Sequence, residues 1–326
     1  MTKSTYPLKT SGSHKNWSVE EVVAYNDWYI RTTLSQEADI VRYKTWGEVL
    51  KDIVDSKATP PESHSNRAKW EKLGFKALNQ TKTKIGKEIG GCFIYSTIHA
   101  VQLSLLEQVE RKSKVDHLAL EKTLKSSHFS ASSPNGGTTP QELGLEKLLL
   151  NGIPLKDGRR FKPNQITISD LGEWFWNYGS SFPSWLKDRM HVHTRGMTPQ
   201  YELATAFRDM MMKHEISQGR PVVVSGQWPD DRAKRRWGPK IWITENTGEA
   251  VLRLVSHPSG LANGGHTTVA VGYKPDPLDP RKTLYECVNS WGPQWADGGY
   301  IWVSSDWYDF WNNTMNGANF VSLKID

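Results

Sequence analysis

Residues 285–303, YECVNSWGPQWADGGYIWV, read as two strands around a turn. "TLYECVNSW" (283–291) and "GYIWVSS" (299–305) are β-rich runs, and the Gly, Pro, Asn and Asp residues between them mark a reversal of the chain. Asn289 ends the first run, and Cys287, two residues earlier, reads as a buried strand residue. "RPVVVSGQW" (220–228), "AVLRLVSH" (250–257) and "HTTVAVGY" (266–273) have the same character, so the second half of the chain is predicted to be strand-rich.

The first half reads as helical. Ser18 and Glu21 form a capping box, and Val19, Val22, Val23, Asn26 and Ile30 follow helical spacing. Arg42, Trp46, Val49, Leu50, Ile53 and Val54 recur at three and four as a second helix, so 18–55 reads as helical up to the break at "SKATPPESHSN" (56–66). From Cys92, the residues Ile94, Ile98, Val101, Leu105 and Val109 share one face of a helix of about 19 residues, roughly 28 Å long. "KSSHFSASSPNGGTT" (125–139) is a polar turn region, and "QELGLEKLLLNGI" (141–153) a helix ending at Asn151-Gly152. Helices followed by strands predict an α+β fold of two lobes with a cleft between them.

Composition removes several alternatives. With 37% hydrophobic residues, 23% charged residues and 15 tryptophans in 326 residues, the chain is predicted to be globular rather than disordered. No apolar run approaches the roughly 18 residues of a membrane span, and residues 1–17 lack the apolar core of a secretory signal. Two cysteines suit a reducing compartment, so cytoplasm or nucleus is the expectation. The net charge of +6 is dispersed except in "DDRAKRRWGPK" (230–240), a basic loop with no nucleic-acid motif behind it. His191 and His193 share a strand face, but no further ligands support a metal site, and no cofactor is implied.

Cys92 and its neighbours carry the chemistry. A cysteine opening a helix lies among unpaired N–H groups at the positive end of the helix dipole, which favours thiolate; in that position it is either a packing residue or a nucleophile. His266 follows "ANGG", read as a turn, and opens a strand, where its ring can face a cleft. The side-chain oxygen of Asn289 is suited to hold one imidazole nitrogen while the other meets the sulfur.

The strings "GGCFIYS" (90–96), "GGHTTVAVGY" (264–273) and "YECVNSWGPQWADGGYIWV" (285–303) resemble, in that order, the nucleophile, histidine and asparagine segments of papain-family cysteine proteases. The resemblance implies a papain-like fold with a helical lobe at about 61–185 and an antiparallel, barrel-like β lobe at about 186–326. It implies a peptidase with Cys92, His266 and Asn289 as its catalytic residues and a protein or peptide as its substrate. Trp291 matches the tryptophan that shields the histidine–asparagine bond, and it reads otherwise as one of many core aromatics. Gly136 and Gly137 match a glycine pair in the substrate cleft, and they read equally as an ordinary Asn-Gly turn.

Three departures accompany the resemblance. The family's oxyanion glutamine lies six residues before the cysteine, where Gly86 stands here; Gln80, twelve before, takes the role if six residues are inserted, and is otherwise a loop residue. Ile89 and Pro134 occupy the positions of the family's structural cysteines. Residues 1–60 form a helical extension that matches the family's propeptide pattern only at Arg42, Trp46 and Ile53. A fold alone confers no activity, so a non-catalytic binding scaffold and transfer of the acyl group to another amine are the rival expectations.

Overall fold

The computed structural model describes residues 41–44, 46–57, 59–80, 91–108, 114–127, 148–149, 151–171, 199–229, 242–244, 250–252, 263–307 and 319–326. Strand β1 (Val41–Lys44) is followed by helix α1 (Trp46–Ser56), β2 (His64–Ser65), α2 (Arg67–Lys72), α3 (Cys92–Leu105) and α4 (His117–Ser127). Next come β3 (Ile153–Pro154), β4 (Arg160–Phe161), β5 (Ile166–Asp170), α5 (Pro199–Ser217) and β6 (Val222–Pro229). Strands β7 (Trp242–Thr244), β8 (Ala250–Leu252), β9 (Asn263–Asp276), β10 (Asp279–Val288), β11 (Tyr300–Ser304) and β12 (Asn319–Ile325) complete the described elements. The fold is α+β, with helices and strands interleaved along the chain and a sheet ordered β1-β5-β12-β6-β9-β10-β11-β8-β7, with β2 added to β9.

Most of the strand pairs are antiparallel, but β1–β5 and β8–β11 are parallel, so the sheet is mixed. Three expectations need correction. Residues 41–44, read as helical, are a strand on β5, since valine and tyrosine suit a pleated surface as well as a helix face. Helix α3 stops at Leu105, short of Val109. Asn263–Gly265, read as a turn, are already the start of β9 and pair with β6. Helix α5 and strands β5 and β12 were not distinguished in the sequence; α5 opens on Pro199, whose missing N–H costs nothing at a first helical position.

The core joins the helices to the sheet. Ile98, Val101 and Leu105 of α3 pack with Leu120 and Leu124 of α4, Ile168 of β5, Val269 of β9 and Leu323 of β12. Each fully buried aliphatic side chain contributes about 2 kcal/mol. The predicted apolar face of α3 is buried, and so is a second stripe, Cys92, Ser96 and His99, spaced four and three residues apart. Buried polar groups need partners. Ser96 Oγ donates to the Thr267 carbonyl of β9 at 2.7 Å and Ser104 Oγ to the Leu323 carbonyl of β12 at 3.1 Å, pinning the helix to two strands.

Strand β9 carries one extra residue opposite β10. Leu284, Tyr285 and Glu286 face Lys274, Tyr273 and Gly272, whereas Cys287 and Val288 face Ala270 and Val269, leaving Val271 without a partner in that ladder. Asn66, only 6% exposed, fills the gap. Its backbone N–H and its side-chain Nδ2 both donate to the Val271 carbonyl, at 3.1 and 3.3 Å, and Nδ2 also reaches the Ile216 carbonyl of α5 at 2.8 Å. Replacing Asn66 with Ala removes both Nδ2 bonds and leaves the Val271 carbonyl with the Asn66 N–H and the Ile216 carbonyl with the Gly219 N–H. The variant is expected to lose about 2 kcal/mol of unfolding free energy in urea titrations, and a change within 0.5 kcal/mol would show that the Asn66 side chain is not needed at the bulge.

Candidate active site

Helix α3 begins at Cys92 because Gly91 turns the chain (φ −105°, ψ 16°) and its carbonyl accepts the first helical bond, from Tyr95 N–H at 3.0 Å. Cys92 is 7% exposed. The Thr267 backbone N–H and hydroxyl and the N–H groups that open the helix favour the charged form of its sulfur. Thr267 follows His266 directly, so the helix N-terminus lies against the strand that carries the imidazole.

The slip at Val271 gives His266 and Asn289 a common face. The Cys287–Ala270 and Val288–Val269 pairs, continued by one residue, place Asn289 opposite Thr268, so His266 is its diagonal neighbour two residues away. Diagonal neighbours share a face, and long side chains span the gap. His266 Nε2 lies 2.7 Å from Asn289 Oδ1.

This contact determines the histidine's tautomer. The Ser290 backbone N–H, which can only donate, also meets Asn289 Oδ1 at 2.7 Å, so that atom is the amide oxygen. Nε2 of His266 must therefore carry the proton it donates, and in the neutral ring Nδ1 is the basic nitrogen. Asn289 is fully buried, the Trp291 ring stacks on His266 with centroids 4.9 Å apart, and Trp295 meets Trp291 edge-on at 5.0 Å. Two aromatic rings thus screen the imidazole–amide bond and lower the dielectric around it.

Gln80 reaches the same place from the other side. Its N–H donates to the Ser290 carbonyl at 2.8 Å, and its side-chain Oε1 accepts from the Ser290 hydroxyl at 2.5 Å. The neighbouring residues Asn79 and Trp291 form an antiparallel bridge, and Gly292 N–H donates to the Leu78 carbonyl at 2.9 Å. Gly292 holds φ +88°, and a Cβ there would meet the Asn79 side chain at 2.9–3.2 Å, so the close pairing requires glycine.

His266, Asn289, Trp291 and Gln80 are thus linked, Gln80 through Ser290, and Cys92 opens the helix that meets Thr267, the residue after His266. Gly136, Gly137, His191, His193 and the basic run 230–240 lie outside the described residues. No group of three or more His, Cys, Asp or Glu side chains suited to a metal is present among the described residues. The sequence did not single out Thr267 or Ser290, although both stand next to residues that it did.

Burial pushes the Cys92 thiol above its ordinary range, and the nearby donors pull the other way without overcoming it. The thiolate expected from the helix position is thus not the favoured resting form.

Neither a protein-family model nor a curated protein matches the chain. Solved structures do. Xylellain, a cysteine protease from Xylella fastidiosa, aligns at 16% identity over 88% of this chain and 92% of its own, with a TM-score of 0.47. A procathepsin B from Trypanosoma congolense aligns at 11% identity over 90% and 85%, TM-score 0.46. A digestive procathepsin L 3 from the larval midgut of Tenebrio molitor aligns at 15% over 94% and 79%, TM-score 0.45. Likeness at this level concerns the path of the backbone alone.

Thr267→Val keeps the shape of the side chain and removes one donor to the sulfur. Its alkylation by iodoacetamide, followed at Cys92 by peptide mass spectrometry, is expected to show a midpoint at higher pH than wild type, because the thiolate alone reacts. Thr267→Ser retains the hydroxyl and the wild-type midpoint. A Val variant with an unmoved or lowered midpoint would remove the hydroxyl from the account.

Proposed function

We propose that this protein is a cysteine-type peptidase of papain-like architecture, cutting peptide bonds through an acyl-enzyme formed on Cys92. The observation that carries the reading is the Nε2–Asn289 bond of His266. It leaves Nδ1 as the base on a strand whose next residue, Thr267, hydrogen-bonds the Cys92 sulfur.

The favoured thiol form gives the imidazole a definite task. As Sγ of Cys92 attacks the peptide carbonyl carbon, Nδ1 of His266 takes the thiol proton, the C–S bond forms, and the carbonyl electrons move to oxygen. The oxyanion is met by the Cys92 N–H and the Gln80 side-chain NH2. Collapse of the tetrahedral adduct breaks the C–N bond, and the imidazolium gives its proton to the departing amine. Water then attacks the thioester, His266 takes a proton from it, and the acid product leaves as the Cys92 thiol is restored. Asn289 keeps the ring in the Nε2–H tautomer and supports its positive charge, with Trp291 excluding water. No step calls for a metal or an organic cofactor.

The wild-type protein, under reducing conditions, is expected to be labelled at Cys92 by an epoxysuccinyl peptide probe and to cleave members of a peptide library. Cys92→Ala should lose both. A wild-type protein that does neither overturns the hydrolytic reading. Asn289→Ala frees the ring and its tautomer, and kcat/KM is expected to fall on the order of 100-fold. A fall below 3-fold would mean that Asn289 only packs.

A further inference from the structure

We propose that His99, which no part of the chemistry above uses, is the positioning residue that keeps the oxyanion donor Gln80 in register with Cys92; this rests on the peptidase reading. His99 is wholly buried in the middle of α3. Its Nε2 accepts the Leu78 backbone N–H at 2.9 Å, two residues before Gln80, and the Phe75 ring meets its own edge-on at 5.5 Å.

The geometry explains why such a contact is needed. Gln80 and Cys92 are twelve residues apart, a length of chain that can span on the order of 40 Å, so connectivity does not set their spacing. The bonds of Gln80 to Ser290 reference it to the loop after β10. Its reference to the nucleophile's own helix is His99, seven residues after Cys92 on the same stripe, roughly 10 Å along a rigid rod. The Leu78 peptide is held at both ends: its N–H by His99 and its carbonyl by Gly292 N–H at 2.9 Å. The 77–80 segment is thereby clamped between the helix that presents the sulfur and the loop that follows Asn289.

Histidine suits the task because only its neutral form can accept that N–H. Burial, assisted by the nearby charge of His117, lowers its pKa to about 3, so the ring stays an acceptor over the working range. The bond therefore does not titrate near neutrality.

The test separates attack from oxyanion stabilisation. His99→Leu is expected to lower kcat for a cleaved peptide by 10-fold or more with KM within about 2-fold, since removing one oxyanion donor outright costs about 100-fold or more. Alkylation of Cys92 by iodoacetamide, which develops no oxyanion, should keep its rate. His99→Gln, which carries an amide oxygen near the place of Nε2, should recover most of kcat. In a Gln80→Ala background His99→Leu should add less than 2-fold, because both changes act on one donor. Parallel loss of alkylation and kcat, full additivity with Gln80→Ala, or an undiminished kcat would each overturn the proposal.

If the leucine variant does not fold, His99→Gln against the shorter His99→Asn carries the same comparison, and equal activities overturn it. Amide hydrogen exchange stands apart from catalysis altogether. Leu78 N–H should exchange slowly in the wild type and faster in His99→Leu, and rapid exchange in the wild type would remove the tether. A wild-type protein that cleaves nothing while showing this exchange pattern would discard the peptidase reading and keep the clamp.

Discussion

A single extra residue in β9, Val271, governs which side chains of β9 and β10 share a face. Side chains alternate along a strand, so a one-residue slip moves every later residue to the other side. In the pairing of Leu284–Glu286 with Gly272–Lys274, continued without a slip, Asn289 and His266 would stand on opposite faces of the sheet. The slip brings them to 2.7 Å. Its cost is a peptide without a partner in β10, and Asn66 meets it from the segment that precedes α2, while also holding α5 through the Ile216 carbonyl. Residues some 200 positions apart in the chain thus cooperate to set one imidazole on one amide.

The sulfur is placed by a different device. Helix α3 is buried on nearly every side, so its polar side chains act as pegs: Ser96 on β9, Ser104 on β12, His99 on Leu78. The same burial that fixes the helix penalises charge on Cys92, and the donors around the sulfur compensate only in part. Thr267 is tied in turn to the Ser225 hydroxyl of β6 at 3.1 Å, which orients its own hydroxyl. A buried thiol in its neutral form is also protected from adventitious oxidation, since oxidation follows thiolate character and exposure.

The sequence pointed to the candidate residues and the elements that carry them more readily than to their spacing. Cys92 opening a helix, His266 on a strand and Asn289 at a strand end were all legible, because Gly-Gly before an apolar run and β-rich runs with polar ends are local signals. The slip at Val271 was not: "TTVAVGY" is buried on both faces, so no hydrophobic alternation marks the register. Strand β1 read as helix because Val41–Lys44 is too short for periodicity to separate the two states. Gln80 stayed ambiguous along the chain, since its place is set by Ser290 and Leu78 contacts that no spacing reveals. His99 was invisible for a related reason: a polar residue on a helix already credited with one apolar face gives no hint that its other face is buried too.

Both cysteines are free thiols, and no disulfide braces the approach to Cys92. Stabilisation of the 77–80 segment therefore falls to individual hydrogen bonds: Leu78 to His99 and Gly292, and Gln80 to Ser290 twice. Each is worth about 1 kcal/mol net, against the 2–4 kcal/mol typical of a disulfide. Together they match a single cross-link in energy but differ from it in kind, because they can be broken one at a time and reformed without an oxidant. A site held this way keeps its geometry in a reducing environment. It also concentrates the dependence on a few buried polar atoms, where the loss of one partner leaves the other unsatisfied and costs more than the bond itself contributed.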